Sequence, residues 1–144
     1  MTEAPRLDRQ VCFALYSASR AATAVYRPML EQLGLTYPQY LVMLVLWENE
    51  PRGVKELGEE LGLDSGTLSP LLKRLEALGL VERRRSGEDE RRVAIHLTSA
   101  GRALSSRATG IPKHLADAAG LSADELEQLR TTLARLTAAL HGPH

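Results

Sequence analysis

The sequence predicts a mainly α fold with a small β-hairpin wing beside a helix-turn-helix. Three observations predict it. Apolar residues recur at helical spacing near both ends of the chain, over residues 8–33 and 99–141. Two short helical stretches between residues 54 and 78 are joined by a tight glycine-containing turn, which is the signature of a helix-turn-helix. Residues 80–97 then change to two strand-like arms around a polar break, so a hairpin follows directly on that motif.

The elements follow in order. Val11, Ala14, Leu15, Ala18, Ala21, Ala22 and Val25 give the first helix one apolar face. Asp8 is its expected N-cap, Pro28 an expected kink near its end, and Gly34 its stop. Thr36 and Gln39 have capping-box spacing for a second helix over residues 38–48. The body of that helix, Leu41 to Trp47, is apolar all round, so its length and cap rather than its period argue for helix. Pro51, Arg52 and Gly53 read as a turn. A short amphipathic helix runs from Val54 to Gly62. A second starts at Asp64–Ser65 and stops at Gly79, with Leu68, Leu71, Leu72, Leu75 and Leu78 as its inward stripe. Pro70 lies beyond the first turn if Ser65 is the cap, which predicts a distorted or tightened opening turn. Val93, Ile95 and Leu97 alternate in the second arm of the hairpin. Thr98 caps a helix directed toward Ala119 that Ile111–Pro112 should bend and Gly120 should end. Ser122 and Glu125 form another capping box. Leu126, Leu129, Leu133, Leu136 and Leu140 run along the last helix.

The 144 residues fit one domain, with residues 54–97 as the DNA-reading lobe and residues 8–33 and 99–141 mainly as dimerisation helices. Two long apolar stripes flanking a small lobe are buried most economically against a second copy, so a homodimer is expected. The 18 bases and 18 acids cancel, and bulk charge points to no partner. Locally, Lys73, Arg74, Arg83, Arg84, Arg85, Arg91, Arg92 and Arg102 outnumber the acids between residues 65 and 102, as a DNA-facing patch would. One cysteine rules out an intramolecular disulfide framework. The first eight residues lack an apolar signal core, and the apolar run 40–47 is too short to span a bilayer, so a cytoplasmic protein without a membrane partner is expected. His96, His114, His141 and His144 have no ligand spacing with Cys12 or with one another, so no metal is expected. No phosphate-cradling glycine loop or nucleophile elbow is present, and neither a cofactor nor an enzyme active site is expected.

The helix-turn-helix places residues 65–78 in the major groove of double-stranded DNA. Ser65, Thr67 and Ser69 are candidates for base edges or phosphates there, and Lys73 and Arg74 for backbone phosphates. Arg91 at the wing is the candidate for a narrow minor groove. A two-fold dimer calls for a pseudo-palindromic operator with half-sites about one helical turn apart. Cys12 falls in the first turn of its helix, where free N–H groups and the helix dipole favour a thiolate. Tyr16 is one turn further on the same face. Tyr26 is about 21 Å along a straight helix from Cys12, too far to touch it within one chain, but an antiparallel partner could present it.

Residues 54–81, with Asp89-Glu90-Arg91 and residues 97–101, resemble the MarR-type transcriptional regulators. Residues 10–20 around Cys12, together with Tyr26-Arg27-Pro28, the Leu35 to Leu41 segment, Leu46-Trp47-Glu48 and Leu63 to Leu68, resemble the organic hydroperoxide resistance repressor (OhrR) branch, one-cysteine type. The resemblance covers residues 8–141. It implies a repressor that organic hydroperoxides release from its operator. It also implies a reactive Cys12 served by tyrosines matching Tyr26 and Tyr37 from the other subunit and by Tyr16. The wing pattern is present as Asp89 and Arg91, with Asp89 orienting an arginine. Tyr40 matches no sensor role and is expected in the core. Attack of a Cys12 thiolate on a peroxide gives a sulfenic acid. No second cysteine resolves it. A mixed disulfide with a low-molecular-weight thiol, a sulfenamide and overoxidation all remain open. Two other readings fit the same residues: the same fold displaced by a non-covalent aromatic ligand with Cys12 structural, and a thiol peroxidase.

Overall fold

The computed structural model describes residues 4–85 and 92–142. The chain divides into two compact units, Met1–Thr109 and Gly110–His144.

In the first unit a 3-10 turn, Leu7–Arg9, precedes α1, Val11–Leu33. Asp8 does not cap α1. It belongs to the 3-10 turn and pairs with Arg6 at 3.1 Å, and the capping position is Gln10, with no side-chain cap bond. Pro28 does not interrupt α1. A proline removes the bond to the carbonyl four residues back. Here that residue, Ala24, is exposed, as is Pro28 itself, so water can take the bond's place. Gly34 ends the helix at φ 72°, and its neighbour Leu35 donates back to the Leu30 carbonyl at 3.0 Å.

α2, Tyr37–Glu48, starts with the capping box foreseen from Thr36 and Gln39. Val42, Met43 and Leu46 are fully or almost fully buried. An all-round apolar sequence is therefore a helix at the centre of the core. Arg52–Gly53 is not a free turn. It is a short strand, β1, paired with the later strand Val93–Leu97 through Arg52↔Ile95 and Gly53↔Ala94. α3, Val54–Leu61, ends at Gly62 in the left-handed region. α4, Ser65–Ala77, is capped by Asp64, not Ser65, and the Asp64 carboxylate accepts from the Thr67 N–H at 2.8 Å. The opening turn is tightened only to the extent that the Asp64 carbonyl accepts from both Thr67 and Leu68. Leu68, Leu72 and Leu75 are buried, but Leu78 at the C-cap is 51 % exposed and leaves the stripe.

β2, Val81–Arg85, and β3, Val93–Leu97, form the hairpin, and the sheet order is β1-β3-β2, all antiparallel. Behind the wing, Thr98 caps α5, Ser99–Ala108, by accepting from Gly101 N–H at 3.0 Å. The Thr98 hydroxyl also donates to the Gly79 carbonyl, and the Trp47 indole N–H donates to the Gly101 carbonyl at 2.9 Å. A single helix to Ala119 does not form. Pro112 cannot donate to Ala108, so the ladder breaks at Thr109–Gly110 and a new helix, α6, Ile111–Ala119, starts with that proline at a position where no donor is needed. In the second unit α6 ends at Gly120, and α7, Ala123–His141, starts at the capping box of Ser122 and Glu125. α7 has no buried residue, and Leu129 and Leu140 along it are exposed.

Candidate functional site

Cys12 is the second residue of α1 and is exposed. A cysteine serving only as core filling would be shielded, and this one is not. The first bond of the helix runs from the Ala14 N–H to the Gln10 carbonyl at 3.2 Å, so Cys12 lies within the turn whose amides have no acceptor in the helix. Leu7, Val11 and Phe13 beside it are also exposed, giving this end of the chain an unshielded apolar surface. Tyr16, four residues on, is 60 % exposed, and the Arg20 guanidinium carbon lies 5.5 Å from its ring centroid.

The other tyrosines gather near the far end of α1. Packing of α1 on α2 brings the Tyr26 and Tyr37 rings to 5.0 Å, and Tyr40 lies 6.1 Å from Tyr26 and 6.3 Å from Tyr37. Tyr40 is 2 % exposed and meets the Trp47 ring edge-on, which is the core role its lack of a sensor match suggested. Burial pushes the Tyr26 phenol up, with Tyr37 and Tyr40 adding to it, and burial and then Tyr37 push Tyr40 up. Both therefore remain neutral O–H donors at physiological pH. Because α1 is unbroken from Cys12 to Tyr26, the separation of about 21 Å holds. The fold joins Tyr26 to Tyr37 and keeps both away from Cys12 of the same chain.

Ser65, Thr67, Lys73 and Arg74 are exposed on α4, while Ser69 is half-buried. Asp89 and Arg91 lie outside the described residues. An open groove of about 910 Å³ runs between α3, the start of α4 and the wing, lined among others by Lys55, Ser65, Arg83 and Arg92. In the sequence Arg83 is one of three consecutive strand arginines. In the fold its guanidinium pairs with Glu76 of α4, tying the wing to the second helix of the motif. Lys55 had no sequence signal beyond its charge. Among the described residues no group of three or more His, Cys, Asp or Glu is placed to hold a metal ion. No helix among them is long and apolar enough to cross a membrane.

Comparison with known proteins gives concordant matches. The family described as transcriptional regulator SarA/Rot matches residues 24–107. The organic hydroperoxide resistance transcriptional regulator of Bacillus subtilis is 48 % identical over 136 residues, covering 94 % of this chain and 92 % of that one. Among solved structures, reduced AbfR bound to DNA, a Staphylococcus epidermidis protein, superposes with a TM-score of 0.78 at 36 % identity over 95 % of this chain and 96 % of that one. Overoxidized AbfR bound to DNA superposes with a TM-score of 0.77, also at 36 % identity, over 94 % and 95 %.

Proposed function

The chain belongs to the MarR/SarA-type winged-helix transcriptional regulators, and on that premise we propose a homodimeric repressor that organic hydroperoxides release from its operator through oxidation of Cys12. It is a DNA-binding regulator, as its relatives are, rather than an enzyme. The observation that carries the sensing role is the placement of the sulfur. Cys12 is exposed in the first turn of α1, Tyr16 is one turn away, and the Tyr26–Tyr37 pair is at the other end of the same helix.

A second copy running antiparallel along α1 would bring its own Tyr26 and Tyr37 to Cys12. The exposed apolar residues Leu7, Val11 and Phe13 around the start of α1 supply surface for such a seam. Two or three phenolic O–H groups would then face the sulfur, stabilising a thiolate without adding a cation. The thiolate attacks the outer oxygen of the hydroperoxide, the O–O bond breaks, and an alcohol leaves with the proton that the thiol gave up. Sulfur is oxidised by two electrons to sulfenic acid. A low-molecular-weight thiol then condenses with it, giving a mixed disulfide and water. Overoxidized AbfR is found on DNA. This favours the bulk of a disulfide-linked group, rather than added oxygen alone, as the wedge that moves the two DNA-reading lobes.

On the DNA side, Ser65, Thr67 and Ser69 of α4 would meet bases or phosphates, and Lys73 and Arg74 phosphates. Asp89 and Arg91 would act at the wing. A reducing cytoplasm, where operator DNA and free thiols both occur, suits this chemistry. The test is a gel shift on the operator with cumene hydroperoxide and a small thiol. Wild type should release, whereas Cys12→Ser should bind equally well and stay bound. Release of Cys12→Ser by peroxide would remove Cys12 from the mechanism.

A further inference from the structure

We propose that Arg20 is a positioning residue for the sensing thiol, acting through the ring of Tyr16. The proposal rests on the reading of Cys12 as the sensor. Cys12, Tyr16 and Arg20 stand at successive four-residue steps on the unbroken helix α1. Side chains on a helix lean toward its N-terminus, so a residue covers the surface over the turn before it. Arg20 therefore covers Tyr16, and Tyr16 in turn leans toward Cys12. The guanidinium carbon is 5.5 Å from the Tyr16 ring centroid, within the roughly 6 Å range of a cation–π contact. Arg20 itself stands about 12 Å along the axis from Cys12, so a direct bond to the sulfur is out of reach and the ring is the intermediary.

Two features make this contact more than a surface coincidence. Tyr16 is 60 % exposed, and among the described residues Arg20 is the partner its ring meets. Within one chain the cation thus supplies the restraint that packing supplies to a core tyrosine. Arg20 also has no carboxylate partner among the described residues, whereas Arg52, Arg83, Arg84, Arg102 and Arg130 each pair with a glutamate. From Val11 to Leu30, α1 contains no acid at all. The charge is left to act on the π face, and it draws electron density from the ring and its oxygen. A phenol so polarised is a better hydrogen-bond donor, available to a thiolate one helical turn before it. The step it assists is the one above: the sulfur–oxygen bond forms as the O–O bond breaks, and the alcohol leaves with the thiol's proton.

The experiment measures the second-order rate of sulfenic acid formation at Cys12 with cumene hydroperoxide, followed by dimedone trapping and mass spectrometry. The variants are Arg20→Met, which keeps length and removes charge, and Arg20→Lys, which keeps a cation. Each is made alone and with Tyr16→Phe. Arg20→Met should slow oxidation by about two- to fivefold, the range expected of an exposed cation–π contact, and Arg20→Lys should restore most of it. In the Tyr16→Phe background Arg20→Met should add nothing. A wild-type rate in Arg20→Met, or an undiminished effect in Tyr16→Phe, overturns the proposal while leaving Cys12 as sensor. Dimedone labelling absent from Cys12 in the wild type would instead remove the sensor reading on which it rests.

Discussion

Replacing Gly101 by alanine should unfasten the wing from the helices behind it. Gly101 is in the first turn of α5, and a Cβ there would stand 2.1 Å from the Leu80 carbonyl oxygen, 3.1 Å from its carbon and 3.2 Å from a Leu97 methyl. A carbon–oxygen contact needs about 3.3 Å, so α5 and the chain entering β2 must part by about 1 Å. The obstacle is backbone, which cannot rotate aside. That opening pulls on two bonds fixed to the same place: the Thr98 N–H to the Leu80 carbonyl at 3.0 Å, and the Trp47 indole to the Gly101 carbonyl at 2.9 Å. Overpacking costs about 1–3 kcal/mol, and each weakened bond about 1 kcal/mol. The sum, roughly 3–5 kcal/mol, is a large part of the roughly 5–15 kcal/mol that stabilises a domain. The assay is thermal unfolding followed by circular dichroism at one fixed protein concentration, since association shifts the midpoint. At roughly 3–4 °C per kcal/mol for a chain of this size, the midpoint should fall by about 10–20 °C. A fall of less than about 4 °C would refute the claim that this close approach holds the lobe together.

Three further outcomes are expected. Hydrogen bonding from Thr67 holds the Asp64 carboxyl below the usual carboxylate range. A depressed folded value means its contribution is complete above the unfolded value and is lost as pH falls through the folded one. The stability difference between wild type and Asp64→Ala, measured by urea unfolding, should therefore narrow as pH drops below the usual carboxylate range, and a constant difference would contradict this. Lys73→Ala should weaken operator binding and lower the log–log salt slope by about one, read by fluorescence anisotropy over a salt series. Tyr26→Phe and Tyr37→Phe should each slow peroxide oxidation of Cys12 by about tenfold, the scale of a hydrogen bond to a charged acceptor, without changing the operator affinity of the reduced protein.

Local signals were the legible ones. Thr36 with Gln39, Ser122 with Glu125, Thr98, Gly34, Gly62 and Gly120 all do in the fold what their chemistry within one helical turn dictates. What the sequence concealed was set by partners distant in the chain. Arg52–Gly53 becomes a strand only because β3, about 40 residues later, offers an edge. Leu78 fits the period of α4 but lies at its C-cap, past the last turn, and stays half exposed. The site divides in the same way. The Cys12–Tyr16–Arg20 ladder follows from helical spacing, whereas the contact of Arg20 with the Tyr16 ring needs the fold. The Tyr26–Tyr37 pair depends on how α1 packs on α2, which periodicity cannot express. The tie between Arg83 and Glu76 likewise needed the fold.

The most direct test asks which subunit's tyrosines serve each sulfur. A heterodimer can be assembled from a Cys12→Ser subunit and a subunit carrying Tyr26→Phe with Tyr37→Phe, and its single Cys12 titrated with cumene hydroperoxide. Service across the seam gives that cysteine intact tyrosines, and it should oxidise at the wild-type rate, once per dimer. Oxidation at the slow rate of the Tyr26→Phe, Tyr37→Phe homodimer would mean that the phenols act within their own chain, and would contradict the account.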